Sequence, residues 1–286
     1  SSDLDLASQL NDHLSAGLIK GNTNVTITGG SIYHNVYGGG AFGSVGTYNA
    51  SNERQGDTGT ANITITGGTI GINGHENGMV FGASRGDVAV PSYTPSGGST
   101  PVDPNNLMAW VYDTHVTIGT ENDATPGPVI KGSVYGSGEN GHTYHDTEVL
   151  MYSGTVGVLN EFCAYRGNVY GGGCGTDQYW IDANSNGIKD AGELHYNPKA
   201  GIVQGNTSVT INGGSIANNI YGAGSMGKVG GNTATTINTD GVVGVDGLHD
   251  DGNVYGAARG ELGLSDDYAS VTNSTVTLTK GTVKGS

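Results

Sequence analysis

Along this chain, short runs alternate between apolar and hydroxyl side chains. Val/Ile-Thr-Ile stands at 25–27, 63–65, 116–118 and 209–211, with looser copies at 235–237 and 276–278. A period of two puts successive side chains on opposite faces of an extended strand, so Val25 and Ile27 are predicted to face a core while Thr26 and Thr28 face water. A glycine turn and a second short β-branched run follow, as in "TGGSI", "TGGTI", "YSGTV" and "NGGSI". A hydrophobe-aromatic-glycine run comes next, at 36, 80, 134, 169, 220 and 254. Asn35, Asn168, Asn219 and Asn253 precede it and predict an amide ladder beside columns of Val and Ile.

The unit is repeated at longer range. "NTNVTITGGSIYHNVYGGGAFGSVG" at 22–46 returns as "NTSVTINGGSIANNIYGAGSMGKVG" at 206–230, and each is half of a pair, giving internal repeats over 22–87 and 206–261. Self-similar strand-turn-strand wording predicts stacked coils. The expectation is a single all-β unit over 1–286, a right-handed parallel β-helix (β-solenoid) with loop insertions, the clearest at 176–200. "TVKGS" at 282–286 closely resembles "VIKGS" at 129–133, which leads into the next aromatic strand. It predicts a segment of a longer array, or a subunit completed by another chain.

Composition narrows the class. With 53 Gly but only 7 Pro and no Gly-X-Y period the chain is not collagen, and 3 Phe with 4 Met leave little for packed helices. A formal charge of −15 repels phosphate backbones, so no nucleic acid partner is expected. No apolar run reaches membrane-spanning length, so no membrane insertion is expected either.

Several stretches could carry chemistry. "DANSNGIKDAGE" at 182–193 places Asp182, Asn184, Asn186, the Ile188 carbonyl, Asp190 and Glu193 at the oxygen-donor positions of a twelve-residue calcium loop, with Gly187 at its turn. Ca²⁺ is the one cofactor expected. "GENGHTYHDTE" at 138–148 gathers Glu139, His142, Tyr144, His145, Asp146 and Glu148, and is read as a solvated polar loop. Glu139, Asp146 and Glu161 are the carboxylates from which an acid-base pair could be drawn. The column Tyr37, Phe81, Tyr135, Tyr170, Tyr221 and Tyr255 suits two uses: a platform for sugar rings, or a ladder of aromatics that stabilises the coil. Arg85-Gly86-Asp87 is matched by "ARGE" at 258–261, which makes it a coil terminator rather than a recognition tripeptide. Cys163 and Cys174 fit equally a disulfide or two buried thiols.

The Gly-Gly-x-Ile corners and Asn-Val-Tyr-Gly-Gly-Gly strands resemble large secreted β-helix repeat proteins of the pectin-lyase-like and autotransporter-adhesin kind, especially those of gut Bacteroidota. The resemblance implies a secreted or bacterial cell-surface location. It implies a non-enzymatic structural or adhesive role, with polysaccharide, host glycan or host protein as partner and possible self-association through the solenoid ends. Two alternatives stand beside it: a polysaccharide hydrolase or lyase, and a subunit of a head-to-tail surface fibre.

Overall fold

The computed structural model describes residues 17–49, 53–73, 77–88, 108–122, 126–158, 166–244 and 251–285, with single positions at 94, 99, 101, 103 and 106. Its strands in chain order are β1 (Thr23–Ile32), β2 (Val36–Tyr37), β3 (Ala61–Ile70), β4 (Val80–Phe81), β5 (Trp110–Val111), β6 (Thr114–Ile118), β7 (Val129–Ile130), β8 (Val134–Tyr135), β9 (His142–Thr143) and β10 (Thr147–Met151). They continue with β11 (Thr155–Val156), β12 (Val169–Tyr170), β13 (Gln178–Trp180), β14 (Leu194–Tyr196), β15 (Thr207–Ile211), β16 (Ser215–Ile216), β17 (Ile220–Tyr221), β18 (Thr233–Val243), β19 (Val254–Tyr255) and β20 (Ser274–Val283). Among the described residues no helix is long and apolar enough to cross a membrane.

The alternation in the sequence works as a pleat should. In β6, β10 and β15 the first, third and fifth residues are buried and the two between them are not. Strands from different copies then pair in parallel and in register, so Val25 lies beside Ile63, then Val116, Val149, Val209, Thr235 and Val276. A second column runs Ile27, Ile65, Ile118, Met151, Ile211, Ile237 and Leu278 by the same pairings. These columns form one apolar core, in which Ile63, Ile65, Val116, Ile118, Val149 and Ile211 are all essentially inaccessible. Each such side chain contributes about 1.5–3 kcal/mol.

The fold expected from the sequence needs correction. The main sheet is a closed eight-strand parallel barrel, not a right-handed β-helix solenoid. Its order is β3-β6-β10-β15-β18-β16-β11-β7, and β7 pairs back onto β3. The cause lies in β3 and β18. In β3 the Gly67-Gly68 step stays within the strand, so Ala61–Ile65 pairs with β6 while Thr69 and Ile70 pair with β7. At the opposite side of the ring, β18 holds β15 with its first half and β16 with Val243. The Gly67-Gly68 pair, read from sequence as a corner between separate faces, is thus crossed here by a continuous strand, whereas Gly213-Gly214 does separate β15 from β16. Two strands lie outside the ring, β1 on β3 and β20 on β18.

The aromatic runs make a separate six-stranded parallel sheet, β19-β17-β12-β8-β4-β2. The glycine after each aromatic residue has a specific cause. A Cβ on Gly38, Gly82, Gly136, Gly171 or Gly222 would lie 2.1–2.3 Å from the carbonyl oxygen of the same position in the next copy. No side chain fits there. Outside both sheets, β13 and β14 form an antiparallel hairpin from the 176–200 insertion, and β5 pairs with β9.

Candidate functional site

The sites follow from what precedes and follows each long strand. Before β6, β10, β15, β18 and β20 the chain reads Asp113-Thr114, Asp146-Thr147, Asn206-Thr207, Asn232-Thr233 and Asn273-Ser274. The Oγ1 atoms of Thr114, Thr147, Thr207 and Thr233 turn inward and donate to the carbonyls of Gly136, Gly171, Gly222 and Gly256, tying the barrel to the aromatic sheet. The Asp or Asn in front stays outside. Asp113 Oδ1 accepts from the Asp146 N–H (2.9 Å), Asp146 Oδ1 from Asn206 N–H (2.7 Å), and Asn206 Oδ1 from Asn232 N–H (2.9 Å). Asn206 and Asn273 also donate their amides to Asp146 Oδ1 (3.1 Å) and Asn232 Oδ1 (2.9 Å).

Along this ladder runs a groove of about 460 Å³, lined by Asp146, Asn206, Asn232 and Asn273 and by the strand starts Thr147, Thr207, Ser208, Thr233, Ala234 and Thr275. Its levels repeat at the spacing of neighbouring strands, about 4.8 Å. It offers amides in a row with the Ser208 and Thr275 hydroxyls beside them, and the Asp146 carboxylate at one end. Of these residues, Asp146 alone stands out in the sequence as a candidate. The Asx-Thr or Asx-Ser dipeptide that recurs at the starts of β1, β6, β10, β15, β18 and β20 is the signal that could have found the rest.

A second ladder runs beside the aromatic sheet. The predicted amide ladder is present in altered form: side-chain acceptors take backbone N–H groups of the same position in the next copy. Asn35 Oδ1 accepts from Met79 N–H (3.0 Å), Met79 Sδ from Ser133 N–H (3.0 Å) and Ser133 Oγ from Asn168 N–H (3.0 Å). Asn168 Oδ1 then accepts from Asn219 N–H (3.1 Å) and Asn219 Oδ1 from Asn253 N–H (2.8 Å).

The aromatic column stacks ring on ring. Centroids from Tyr37 through Phe81, Tyr135, Tyr170 and Tyr221 to Tyr255 lie 4.6–5.1 Å apart, with interplanar angles of 7–16°. Neighbouring rings therefore occupy each other's faces. Tyr170 is fully buried, whereas Tyr255 is 44 % exposed. Burial pushes the Tyr135 and Tyr170 hydroxyls well above the usual phenol range.

The 138–148 stretch is not a loop of solvated acids and bases. His142 and Thr143 form β9, Thr147 begins β10, and His142 is 1 % exposed with its ring 4.6 Å from that of Trp110 and its Nδ1 unpartnered. Desolvation pushes His142 down to about 3, so it is neutral. His145 is instead raised, first by its hydrogen bond to Asp113 (2.9 Å). Glu148 pairs with His115 at 3.1 Å. Glu139 accepts from the Tyr37 hydroxyl and pairs with Arg85 Nε at 3.1 Å, whereas Asp146 belongs to the groove ladder. No hydrogen bond or ion pair among the described residues joins these two carboxylates. Glu161 and Cys163 lie outside the described residues. Cys174 is buried, its Sγ 3.2 Å from the Thr176 hydroxyl.

In the 182–193 loop, the side chains of Asp182, Asn184, Asn186 and Asp190 meet. Asp182 accepts from the N–H groups of Asn186 (3.1 Å) and Gly187 (2.9 Å), and Asp190 Oδ2 from the amides of Asn184 (3.0 Å) and Asn186 (3.1 Å). Glu193 lies at the base of the loop, where it accepts from the N–H groups of Asn184 and Asp190 (both 3.4 Å). Its carboxylate caps Ala183 N–H (3.0 Å) and accepts from Trp180 Nε1 (2.9 Å), which holds it below the usual carboxylate range. The donors suit Ca²⁺ in kind, and Asp182, Asn184, Asn186 and Asp190 suit it in placement. Among the described residues no group of three or more His, Cys, Asp or Glu side chains is placed to hold a metal ion.

Arg85 and Arg259 occupy equivalent places, bridging to Ala41 and Ser225 at the ends of their copies, as the repeat predicts. Compared with known proteins, the chain matches no family model, no curated protein and no solved structure.

Proposed function

We propose that this chain is a non-enzymatic, exported surface module with a structural and adhesive role, which holds an extended polysaccharide or host glycan along the groove that starts at Asp146. The observation carrying this reading is the periodic row of Asn206, Asn232 and Asn273 amides. Each amide has two N–H donors and its carbonyl two acceptor sites, so the ladder leaves hydrogen-bonding capacity for a ligand. A polyhydroxyl chain meets such a row with many weak contacts in register. The acidic surface favours a neutral glycan over a polyuronate. Tyr255, with its exposed ring, is the member of the aromatic column that can stack on a sugar.

The 182–193 loop is proposed as a Ca²⁺ site that stiffens the insertion, with Asp182, Asn184, Asn186, the Ile188 carbonyl, Asp190 and Glu193 as donors. Catalysis is assigned to neither place, since Glu139 and Asp146 belong to separate hydrogen-bond networks.

A glycan and polysaccharide array with product analysis on every hit tests the reading. Ala234 is exposed in the groove, so Ala234→Trp fills it without removing a hydrogen bond. Binding should fall at least tenfold with an unchanged melting temperature. Undiminished binding by the variant, or release of oligosaccharides by the parent protein, overturns the proposal.

A further inference from the structure

Among the described residues, β1 pairs only with β3 and β20 only with β18, which leaves each with one unpaired strand edge. The two edges fit each other. "STVTLTKGTV" of β20 aligns with "TNVTITGGSI" of β1 over the full ten residues without a gap, matching Val276 to Val25, Leu278 to Ile27 and Val283 to Ile32. On β20, Val276 and Leu278 are 45 % and 55 % exposed, while Ile63 and Ile65 in the same columns are 1 % and 0 % exposed. An apolar column of this kind becomes buried only when another level covers it.

The ladders have a direction that agrees. At the strand starts each side-chain oxygen accepts from the next copy in chain order, as Asn22 does from Thr60 and Asn206 from Asn232. The following N–H beyond Asn273 would be that of Asn22 in another molecule. The buried return column, in which Ile19 bridges Val45 and Val203 bridges Val229, likewise passes through the Ser270–Val271 segment and would resume at Ile19. The aromatic sheet ends one level before β20, so Tyr255 does not meet Tyr37 across such a junction.

We propose that these edges join: β20 of one molecule pairs in parallel with β1 of the next copy of this chain, in the register of the internal repeats. The contact is heterologous and does not close, so it yields linear head-to-tail assemblies.

Engineered disulfides test the register. Thr26 and Thr277 would lie side by side at about 4.8 Å, within the Cα separation a disulfide spans. Thr277→Cys with Thr236→Cys, which pair inside one molecule, shows that the geometry can be oxidised. A mixture of the separate Thr26→Cys and Thr277→Cys proteins should give covalent dimers that neither gives alone, and sedimentation of the parent chain should shift to larger species with concentration. Leu278→Lys should weaken that association at least tenfold with an unchanged melting temperature. If the internal pair oxidises while the mixture gives no dimer, or if each single variant cross-links equally well alone, the proposal fails. Loss of glycan binding with assembly intact would instead count against the groove alone.

Discussion

His142 gives the most direct test of the interior. In the fold its ring is held neutral, at about 3, mainly by desolvation, with the Lys199 cation adding to the effect and Asp103 opposing it. In the unfolded chain it titrates near 6.5. The unfolded state therefore binds the proton first, and the stability this residue contributes is present above 6.5 and is lost as pH falls from there towards 3. The full displacement corresponds to about 5 kcal/mol, of which about 2 kcal/mol is lost between pH 7 and pH 5. His145 acts with the opposite sign: its raised value stabilises the fold below 6.5, and that contribution disappears as pH rises through the folded value. The two are separated by comparing the parent with His142→Leu, which keeps similar bulk against Trp110. Urea unfolding at pH 7, 6 and 5 should show the parent losing about 2 kcal/mol more than the variant over this range. Equal pH slopes for the two proteins would show that the ring is hydrated or paired in the fold, and the reasoning would be wrong.

Further predictions concern the columns and the loop. Thr235 sits in an otherwise Val/Ile column, 1 % exposed, with its Oγ1 unpartnered, so Thr235→Val should stabilise the protein by about 1 kcal/mol in chemical denaturation. Gly136→Ala drives a Cβ to 2.1 Å from the Gly171 carbonyl and should cost about 3 kcal/mol or more, while Gly29→Ala, with open space around it, should stay within about 0.5 kcal/mol. Asn168→Ala strips the buried Asn219 N–H of its acceptor and should cost about 1–3 kcal/mol, read by the denaturation midpoint. Calcium that draws on the Glu193 carboxylate changes the charge beside Trp180 Nε1, so Ca²⁺ titration should shift tryptophan emission in the parent and not in Asp182→Ala; an unchanged spectrum in both counts against a calcium ion beside Glu193.

Much of the local structure was legible because its cause is local. Val25-Thr26-Ile27 must alternate, and Tyr37 and its repeats must align once copies stack, so strands and columns follow from a period of two and a repeat. The closure of the barrel was not legible. Gly67-Gly68 reads as a corner in any sequence, and only pairing on both halves of β3 shows a strand running through. At the site, Asp146 stands out in the sequence by its charge, whereas Asn206, Asn232 and Asn273 do not, because an amide beside Thr is an ordinary pair of residues. Their meaning comes from repetition at one edge. His142 reads as polar surface because its stretch is rich in polar residues, yet both residues of its two-residue strand are buried.

The side-chain-to-next-copy ladders also set what kinds of length change this architecture can absorb. Every acceptor in them looks to the equivalent residue one level on, so the bonds are indifferent to how many levels there are. Removing or duplicating a whole level would leave each remaining oxygen facing an equivalent N–H. Deleting one residue from a long strand would instead turn its apolar side chains to the other face and displace its place in every column it crosses. A change by whole levels thus keeps the ladders matched and alters only the number of strands in the ring, while the sequence within a level is held tightly in phase.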